Sequence, residues 1–311
     1  MKLIVTGGAG FIGGHLVPVL LFRGHQVLVL DNLFSGRRQN VPEGAKFANL
    51  DLARADDSEI FDIVRGFHPD AVIHLAGVHY IPYCLEHPAE TFLVNVRSTE
   101  ILMRAMKGLS TRKLIAASTG DVYSLRDIAH SETETPEPSN SYGLSKFQAE
   151  EIIAGAASCN RNLSCIALRL FNVYGPRDSN PHVIPRAIEQ LRSPDVPEIP
   201  MGRTDTTRDF IHVDDVVRAI SNALTHESGN YDVFNVGTGR ATSIRDVLGF
   251  LRKAAGDQRP IVQDKSLLRS HDRLSLTSDI SKITRVMNWR PTVRLEEGLT
   301  LLVQQAVLTP A

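Results

Sequence analysis

The stretch that decides the fold is the first thirty-one residues, which read Lys2-Leu-Ile-Val-Thr6, Gly7-Gly-Ala-Gly-Phe-Ile-Gly13 and, at the end, Leu28-Val-Leu-Asp31. An apolar strand leads into a glycine-rich turn, the turn opens a helix, and a second apolar strand ends on an acidic residue. Gly7 permits a tight turn, Gly10 lets backbone N–H groups approach a pyrophosphate, and Gly13 lets the helix pack closely on the sheet. This order is that of a βαβ unit that binds a dinucleotide.

Asp31 indicates which dinucleotide is expected. It lies 24 positions beyond Gly7, where a carboxylate accepts hydrogen bonds from the adenosine ribose hydroxyls and repels a 2′-phosphate, so NAD is favoured over NADP. A glycine triplet alone is also consistent with a structural turn, but strand, helix and distal aspartate together predict a cofactor site. In this unit the residues expected to contact NAD are Gly7, Gly10, Phe11, Ile12, Gly13, Asp31 and Asn32.

Composition restricts the classes of partner. The chain has 311 residues, of which 42% are hydrophobic and 22% charged, with a formal net charge of -1. These values are typical of a soluble globular protein, and neither nucleic acid nor a membrane is expected as a partner. Cys84, Cys159 and Cys165 form no CxxC motif and no metal-ligand spacing, so no metal site is predicted. Because a structural strand begins at the N-terminus and no long apolar stretch follows, we expect a cytoplasmic protein.

Beyond Asp31 the chain alternates between apolar strands and amphipathic helices. Strands are predicted at 46–50, 71–75, 113–117 and 164–170, and helices at 58–67, 89–107 and 141–157. The alternation predicts an α/β fold with a doubly wound parallel sheet covered on both faces. The strand at 71–75 ends at Leu75, Ala76 and Gly77, and small residues at the carboxyl end of a strand allow a cofactor to lie against the backbone.

The character of the sequence changes beyond Phe171. Residues 172–178 and 193–207 are rich in Pro, Gly and short polar residues, with one clear helix between them. One more strand is predicted at 233–237, and helices near 244–255, 280–286 and 295–307. We therefore expect a dinucleotide-binding domain formed by residues 1–171 and about 209–241, and a smaller, mainly C-terminal α/β lobe formed by about 172–208 and 242–311.

Tyr142 and Lys146 form the second strong pattern. They lie four residues apart near the start of a predicted helix and therefore share one face. A free tyrosine has a pKa of about 10, so a neighbouring ammonium and a positively charged nicotinamide ring are needed to favour the phenolate. Alone, the pair is consistent with an ordinary surface helix. Because it follows a cofactor unit and a strand that ends in Ser118 and Thr119, we interpret Tyr142 as the catalytic base.

These motifs resemble the extended short-chain dehydrogenase/reductase family, specifically its NAD-dependent nucleotide-sugar epimerases and dehydratases of the UDP-glucose 4-epimerase type. The resemblance covers essentially the whole chain. It implies a Rossmann-type sheet, NAD as cofactor and a nucleotide-sugar-binding C-terminal lobe. It also implies that Asp51 and Leu52 contact the adenine side of NAD, that residues 74–77 lie beside the cofactor, and that Asn95 is the helix asparagine of the family.

The same resemblance implies the reacting groups. Tyr142 and Lys146 match the catalytic pair of the family, and Thr119 lies where the family keeps the Ser or Thr that hydrogen-bonds the reacting sugar oxygen. Two arginines converging on a pyrophosphate are reasonable chemistry, because guanidinium groups pair with phosphate oxygens in bidentate fashion. The residues expected on the substrate side are His79, Thr119, Asp121, Tyr142, Asn172, His182, Val183, Arg208 and Arg269.

Two departures from the family pattern bear on the reaction. The dehydratases carry Thr-Asp-Glu before Val-Tyr, whereas this chain has Thr119, Gly120 and Asp121. The acid is lost at Gly120, but Asp121 could still act as a base, so dehydration stays open as an alternative. His182 lies where the epimerases commonly have Asn, and this difference affects the contacts expected there.

The sequence therefore predicts an NAD-dependent nucleotide-sugar epimerase, with a UDP-hexose as the expected substrate. A dehydratase or reductase on the same core is the first alternative, and a catalytically silent NAD-binding scaffold is the second. Intact Thr119, Tyr142 and Lys146 disfavour the scaffold. The resemblance also implies a homodimer, in which the helices at 89–107 and 141–157 pair into a four-helix interface.

Overall fold

The computed structural model describes residues 1–178, 180–193, 196–227, 229–267 and 273–308. Its strands are β1 (Lys2–Thr6), β2 (Gln26–Asp31), β3 (Lys46–Asn49), β4 (Ala71–His74), β5 (Lys113–Thr119), β6 (Ala129–His130), β7 (Ser164–Leu170), β8 (Asn172–Tyr174), β9 (Ile199–Met201), β10 (Thr207–Arg208), β11 (Phe210–His212), β12 (Tyr231–Val236), β13 (Thr242–Ser243), β14 (Ile261–Gln263) and β15 (Ser275–Ser278). Its α-helices are α1 (Phe11–Phe22), α2 (Asp57–Phe67), α3 (Ile81–Glu86), α4 (Pro88–Phe92), α5 (Ser98–Met106), α6 (Ser141–Cys159), α7 (Val183–Leu191), α8 (Val213–Thr225), α9 (Ile244–Ala255), α10 (Ser281–Met287) and α11 (Leu295–Leu308).

The main sheet has seven strands in the order β12-β7-β5-β4-β1-β2-β3, and every pair in it is parallel. The chain proceeds from β1 to β2 on one side and returns to β4 on the other. The strand order therefore reverses between β1 and β4, and such a switch point opens a crevice at the carboxyl ends of the strands. The predicted doubly wound α/β fold is confirmed.

Apolar side chains cover the two faces of this sheet in separate clusters. The first packs α1 and α8 on the sheet and includes Leu16, Ile220 and the buried Trp289. The second packs α2, α5 and α6 on the opposite face around Ile60, Leu102 and Ile153. Both faces of the strands are thus buried, which explains their nearly continuous apolar sequences.

A third cluster lies outside the main sheet and is formed largely by α7, α9 and α11. It includes Ile184, Leu248, Leu251 and Leu299, with Phe210 from β11. The smaller sheets are a four-stranded one, β13-β10-β15-β6, in which β6 comes from the segment between β5 and α6, and two strand pairs, β11-β8 and β14-β9. None of the helices in the described ranges combines the length and the apolar character needed to span a membrane.

The helix predicted at 89–107 is interrupted. α4 is followed by a π-helical turn at Leu93–Arg97 and then by α5. Such single turns insert one residue into a helix and are frequent at functional sites. The short helix α3 was not predicted, because six residues beginning at Ile81-Pro82 are too few to show a helical period.

Candidate active site

A large cavity of about 1300 Å³ extends over the carboxyl ends of the central strands and reaches the third cluster. Nearly all the site residues predicted from the sequence line this cavity. Those on the cofactor side are Gly7, Gly10, Phe11, Ile12, Gly13, Asp31, Asn32, Asp51, Leu52, Leu75, Ala76 and Gly77. Those on the substrate side are His79, Thr119, Asp121, Tyr142, Lys146, Asn172, His182, Val183 and Arg208.

The glycine turn is as tight as its sequence predicts. Gly7 has a φ of +67, and a Cβ there would lie 2.7 Å from the backbone nitrogen of Ala76. A Cβ on Gly13 would lie 2.5 Å from the carbonyl oxygen of Gly7. Gly10 precedes α1, whose start has no acidic residue in its first turn and no hydrogen bond from a capping side chain. The N–H groups at this helix start therefore remain available to an anion in the cavity.

Asp31 joins the glycine turn to the loop after β2. Its Oδ2 accepts from the backbone nitrogen of Ala9 at 2.9 Å, and its Oδ1 accepts from Leu33 at 2.8 Å. Burial raises the pKa of Asp31, and the two backbone hydrogen bonds oppose that shift. A carboxylate has about four acceptor positions, so these two bonds fix its orientation and leave capacity for ribose hydroxyls.

Asp51 and Asn32 lie together at the adenosine end of the cavity. Asn32 Nδ2 donates to Asp51 Oδ2 at 3.1 Å, and the backbone nitrogen of Ala53 donates to Oδ1 at 2.9 Å. Leu52, which is 5% exposed, adds an apolar contact surface at the same point. Polar and apolar groups side by side suit a ring such as adenine with its attached ribose.

Asn95 occupies the π-helical turn and is 1% exposed. Its Oδ1 accepts from the backbone nitrogen of Val78 at 2.8 Å, and its Nδ2 donates to the Val78 carbonyl and to Ser145 Oγ, both at 2.9 Å. The structure therefore places Asn95 behind the wall of the cavity. Its amide fixes the backbone that follows β4 and ties that backbone to the start of α6.

Tyr142, Lys146 and Thr119 meet where α6 starts and β5 ends. Burial raises the pKa of Tyr142 well above its ordinary value, a side-chain hydrogen bond with Thr119 lowers it, and the charge of Asp121 raises it. The sequence predicts a lowered pKa when the nicotinamide charge of bound NAD adds to the charge of Lys146, whereas desolvation has the largest effect in the ligand-free chain. Thr119 Oγ1 also accepts from the backbone nitrogen of Asp121 at 3.1 Å and lies 3.5 Å from its Oδ2.

Lys146 is 7% exposed, and burial lowers its pKa to about 8 while the negative charge of Glu150 opposes that shift. Its Nζ would lie 3.8 Å from a Cβ on Gly77, so the ammonium reaches the backbone after β4. Glu150 is held by Arg169 through Nε at 3.0 Å and Nη2 at 2.7 Å, and by the hydroxyl of Ser118. A buried, paired carboxylate thus lies one helical turn below Lys146.

His79 and His182 lie side by side in the lining of the cavity, with ring centroids 5.8 Å apart. Asn180 Nδ2 lies 3.1 Å from His79 Nε2, and Asp178 Oδ2 lies 3.1 Å from His182 Nδ1. The surrounding protein lowers the pKa of His79 to about 4 although its ring is open to the cavity, and the nearby His182 adds to this shift. Asp178 and Asn180 were not predicted as site residues, because their role depends on a turn that brings this loop over the strand ends.

Asn172 and Arg208 extend the substrate side of the cavity. The Oδ1 of Asn172 is buried and has no hydrogen-bond partner among the described residues, so it presents an acceptor that a ligand can satisfy. Arg208 Nη1 donates to the carbonyl of Thr207 at 2.8 Å, and the side chain lines the cavity. The predicted contact at Arg269 lies outside the described residues.

Arg273 is a cavity residue that the sequence did not reveal. It is 8% exposed, lies 3.9 Å from Asp121 through Nη1, and also donates to the carbonyl of Tyr123 at 3.3 Å. Those partners are about 150 residues away in the chain. Local sequence does not distinguish such an arginine from solvated ones.

The residues at the strand ends fit NAD. The helix start at Gly10 offers N–H groups for the pyrophosphate, Asp31 offers acceptors for a ribose, and a side chain at Gly7 or Gly13 would fill the turn. Glycine at these positions is required by close backbone approach, which is the condition for binding a dinucleotide against a strand end. Lys146 and Tyr142 lie farther along the same cavity, toward the substrate side.

Comparisons with known proteins agree with this geometry. The family model described as the NAD dependent epimerase/dehydratase family matches residues 3–237. A UDP-glucose 4-epimerase of Lactobacillus helveticus is 32% identical over 309 residues, which cover 94% of this chain and 92% of the relative.

Two solved structures resemble the whole chain. The UDP-glucose 4-epimerase of Thermotoga maritima, crystallised with UDP-glucose, has a TM-score of 0.90 at 33% identity and covers 98% of each chain. The UDP-glucose 4-epimerase of Thermus thermophilus, in complex with NAD, has a TM-score of 0.89 at 33% identity and covers 100% of each chain. The family resemblance and the NAD cofactor expected from the sequence are confirmed. The chain belongs to the NAD-dependent epimerase/dehydratase family.

Proposed function

We propose that this enzyme is a UDP-hexose 4-epimerase, which inverts the configuration at C4 of the sugar through a 4-keto intermediate. The observation that carries the proposal is the convergence of Thr119, Tyr142 and Lys146 in the cavity that also contains the glycine turn and Asp31. The family membership and the similarity to UDP-glucose 4-epimerases support it.

NAD, when bound, supplies a reversible hydride acceptor and a positive charge. Gly7, Gly10 and Gly13 would hold its pyrophosphate, and Asp31 and Asp51 its adenosine side. Asn95 would support the cofactor site indirectly, because its side-chain amide forms hydrogen bonds with the backbone of Val78. Leu75, Ala76 and Gly77 follow directly after β4 and form the backbone segment against which the cofactor would lie.

Tyr142 would accept the proton of the C4 hydroxyl and later return it. Its raised pKa keeps the phenol protonated in the resting site, so the base must be generated by nearby positive charge when the ligands bind. Lys146 is the protein's source of that charge, and Glu150 helps to keep it protonated. Thr119 would orient the reacting oxygen through its hydroxyl, which lines the same cavity as Tyr142 and acts to lower the pKa of that phenol.

The sugar would turn over about its phosphate linkage between proton removal and proton return. Arg208 and Arg269 would hold the diphosphate during this motion, because guanidinium groups pair with phosphate oxygens. Asn172, whose buried Oδ1 lacks a partner among the described residues, would accept from the substrate. His79, His182, Val183 and Asp121 would border the sugar at the same end of the cavity.

We also propose that the chain has two domains and forms a homodimer. Residues 1–171 and about 209–241 would form the NAD-binding domain, and about 172–208 and 242–311 the nucleotide-sugar lobe, which has its own apolar cluster. The helices at 89–107 and 141–157 would pair in a homodimer. Light scattering after size-exclusion chromatography tests the homodimer, and a monomer at micromolar concentration would exclude it.

Incubation with UDP-glucose and with its N-acetyl analogue tests the proposed reaction. Unchanged mass with a new C4 configuration is the expected result. Loss of one water would instead identify a dehydratase, for which Asp121 next to Thr119 offers a base.

A further inference from the structure

Asp121 and Arg273 form an ion pair in the wall of the cavity beside Thr119. Arg273 Nη1 lies 3.9 Å from Asp121 Oδ1, and their side chains are only 7% and 17% exposed, respectively. Both residues line the cavity. Asp121 Oδ2 lies 3.5 Å from Thr119 Oγ1, so the carboxylate borders the place where the proposed function puts the C4 oxygen of the sugar.

Most of the N–H groups of Arg273 are hydrogen-bonded within the protein. Besides the contact with Asp121, its partners are the carbonyl of Ser275 at 3.0 Å, the carbonyl of Tyr123 at 3.3 Å, the carbonyl of Ser124 and the ring nitrogen Nε2 of His130 at 3.1 Å. A guanidinium has five N–H groups. Arg273 therefore serves mainly as a fixed countercharge, whereas the carboxylate of Asp121 keeps acceptor capacity for a substrate.

When the sugar ring rotates between proton removal and proton return, C3 and C5 each come to lie beside this carboxylate in one of the two poses. A pyranose ring that turns over while C4 stays in place exchanges its C3 side with its C5 side. The substituent at C6 therefore lies on the Asp121 side in one of the two poses that epimerisation requires. A hydroxymethyl group can donate a hydrogen bond to Asp121 there, whereas a C6 carboxylate would meet the like charge of a largely buried carboxylate.

We propose that Asp121 is a specificity-determining residue that restricts turnover to nucleotide sugars with an uncharged C6 group and excludes hexuronic acids. This inference rests on the proposed function, because it needs the sugar to be processed in two poses. A hexuronic acid can still bind in the pose that keeps its carboxylate away from Asp121. The discrimination is therefore expected in turnover more than in binding.

The test compares epimerisation of UDP-glucose and UDP-glucuronic acid by the wild-type enzyme, Asp121→Asn and a matched control. The control is Glu90→Gln, which removes one negative charge from the adenosine end of the same cavity, where Glu90 pairs with Arg54. We expect Asp121→Asn to raise the ratio of kcat/KM for UDP-glucuronic acid to that for UDP-glucose about tenfold or more. The control should leave this ratio unchanged.

Three results would overturn the inference. They are a wild-type enzyme that epimerises both sugars equally well, a ratio that Asp121→Asn leaves unchanged, and an Asp121→Asn variant that stays folded but loses both reactions. The last result would make Asp121 a catalytic group. A wild-type enzyme that binds UDP-glucose but never changes its C4 configuration would instead refute the proposed function, and the inference with it. Thermal denaturation of each variant shows that the fold is retained.

Discussion

Tyr142 and Lys146 lie one helical turn apart at the start of α6, and burial moves their pKa values in opposite directions. It raises the pKa of the Tyr142 phenol and lowers that of the Lys146 ammonium to about 8. Desolvation disfavours the charged form of each group, so the effect has opposite signs for an acid and a cation. The resting site thus holds a protonated phenol next to an ammonium that loses its proton readily.

The first prediction concerns the phenol. Tyr142→Phe removes the group proposed to accept the C4 proton, and turnover of UDP-glucose should fall by at least about 10²- to 10⁴-fold, the usual contribution of acid–base catalysis. NAD should stay bound, which mass spectrometry of the denatured enzyme can establish. Tyr231→Phe, on β12 at the edge of the sheet, is the control. A Tyr142→Phe enzyme with a near-normal rate would refute the role given to this residue.

The second prediction concerns the cost of burying Lys146. Its pKa is about 8 in the folded chain and about 10.4 when exposed. At pH 7 both states are protonated, and the buried ammonium costs about 3 kcal/mol of folding stability. The unfolded state binds more protons between those two pKa values, so this cost is relieved as pH rises from about 8 to about 10.4.

Lys146→Met should therefore increase the free energy of unfolding of the cofactor-free protein at pH 7, by about 1–3 kcal/mol, and less at pH 10. Urea denaturation at both pH values measures the difference. Lys253→Met serves as the control, since Lys253 is 78% exposed and its ion pair with Glu296 contributes little. A Lys146→Met variant less stable than wild type at pH 7 would show that Lys146 is stabilising.

The third prediction concerns the glycine turn. A Cβ on Gly13 would lie 2.5 Å from the Gly7 carbonyl oxygen and from the Cα of Gly8, and backbone atoms cannot move aside without opening the turn. Gly13→Ala should lower the NAD affinity at least about tenfold and destabilise the protein by about 1–3 kcal/mol. Isothermal titration calorimetry and chemical denaturation measure these effects.

The neighbouring residue provides the control for Gly13. A Cβ on Gly14 would lie 3.0 Å from the side chain of Asn40, which can adjust, so Gly14→Ala should be tolerated far better. Equal losses of NAD affinity in the two variants would mean that close packing at Gly13 is not what the cofactor site requires.

The fourth prediction concerns Asn95. Asn95→Leu keeps the volume but leaves the backbone N–H and C=O of Val78 without their partner, and this should cost about 2–4 kcal/mol of stability. NAD affinity should fall as well, because the backbone after β4 loses its support. Ser145→Ala removes only one of the three hydrogen bonds made by the side chain of Asn95 and should have a smaller effect on both quantities. A fully stable Asn95→Leu variant with normal NAD affinity would contradict the positioning role.

Sequence patterns correctly predicted the helices and strands that are determined by residues close together in the chain. β7 and α9 occur at the residues predicted from apolar runs and helical periodicity. The π-helical turn around Asn95 could not be predicted, because it depends on the bonds that Asn95 makes to Val78 and Ser145. Periodicity cannot register such a single inserted residue.

The same distinction applies to the site. Residues within one motif, such as Tyr142 and Lys146, could be placed on one helix face from their spacing alone. Asp121 and Arg273 come together only through the packing of the C-terminal segment on the loop after β5, and no local pattern carries that contact. The raised pKa of Tyr142 in the ligand-free chain could not be predicted for the same reason, since desolvation depends on the whole surrounding fold.

The most direct test of the proposed epimerisation follows UDP-glucose deuterated at C4 by proton NMR and mass spectrometry. We expect UDP-galactose of unchanged mass with the deuterium still at C4, because hydrogen must leave and return to the same carbon within one site. Loss of one water, exchange of the deuterium with solvent, or no change in C4 configuration with bound substrate would contradict the proposed epimerisation.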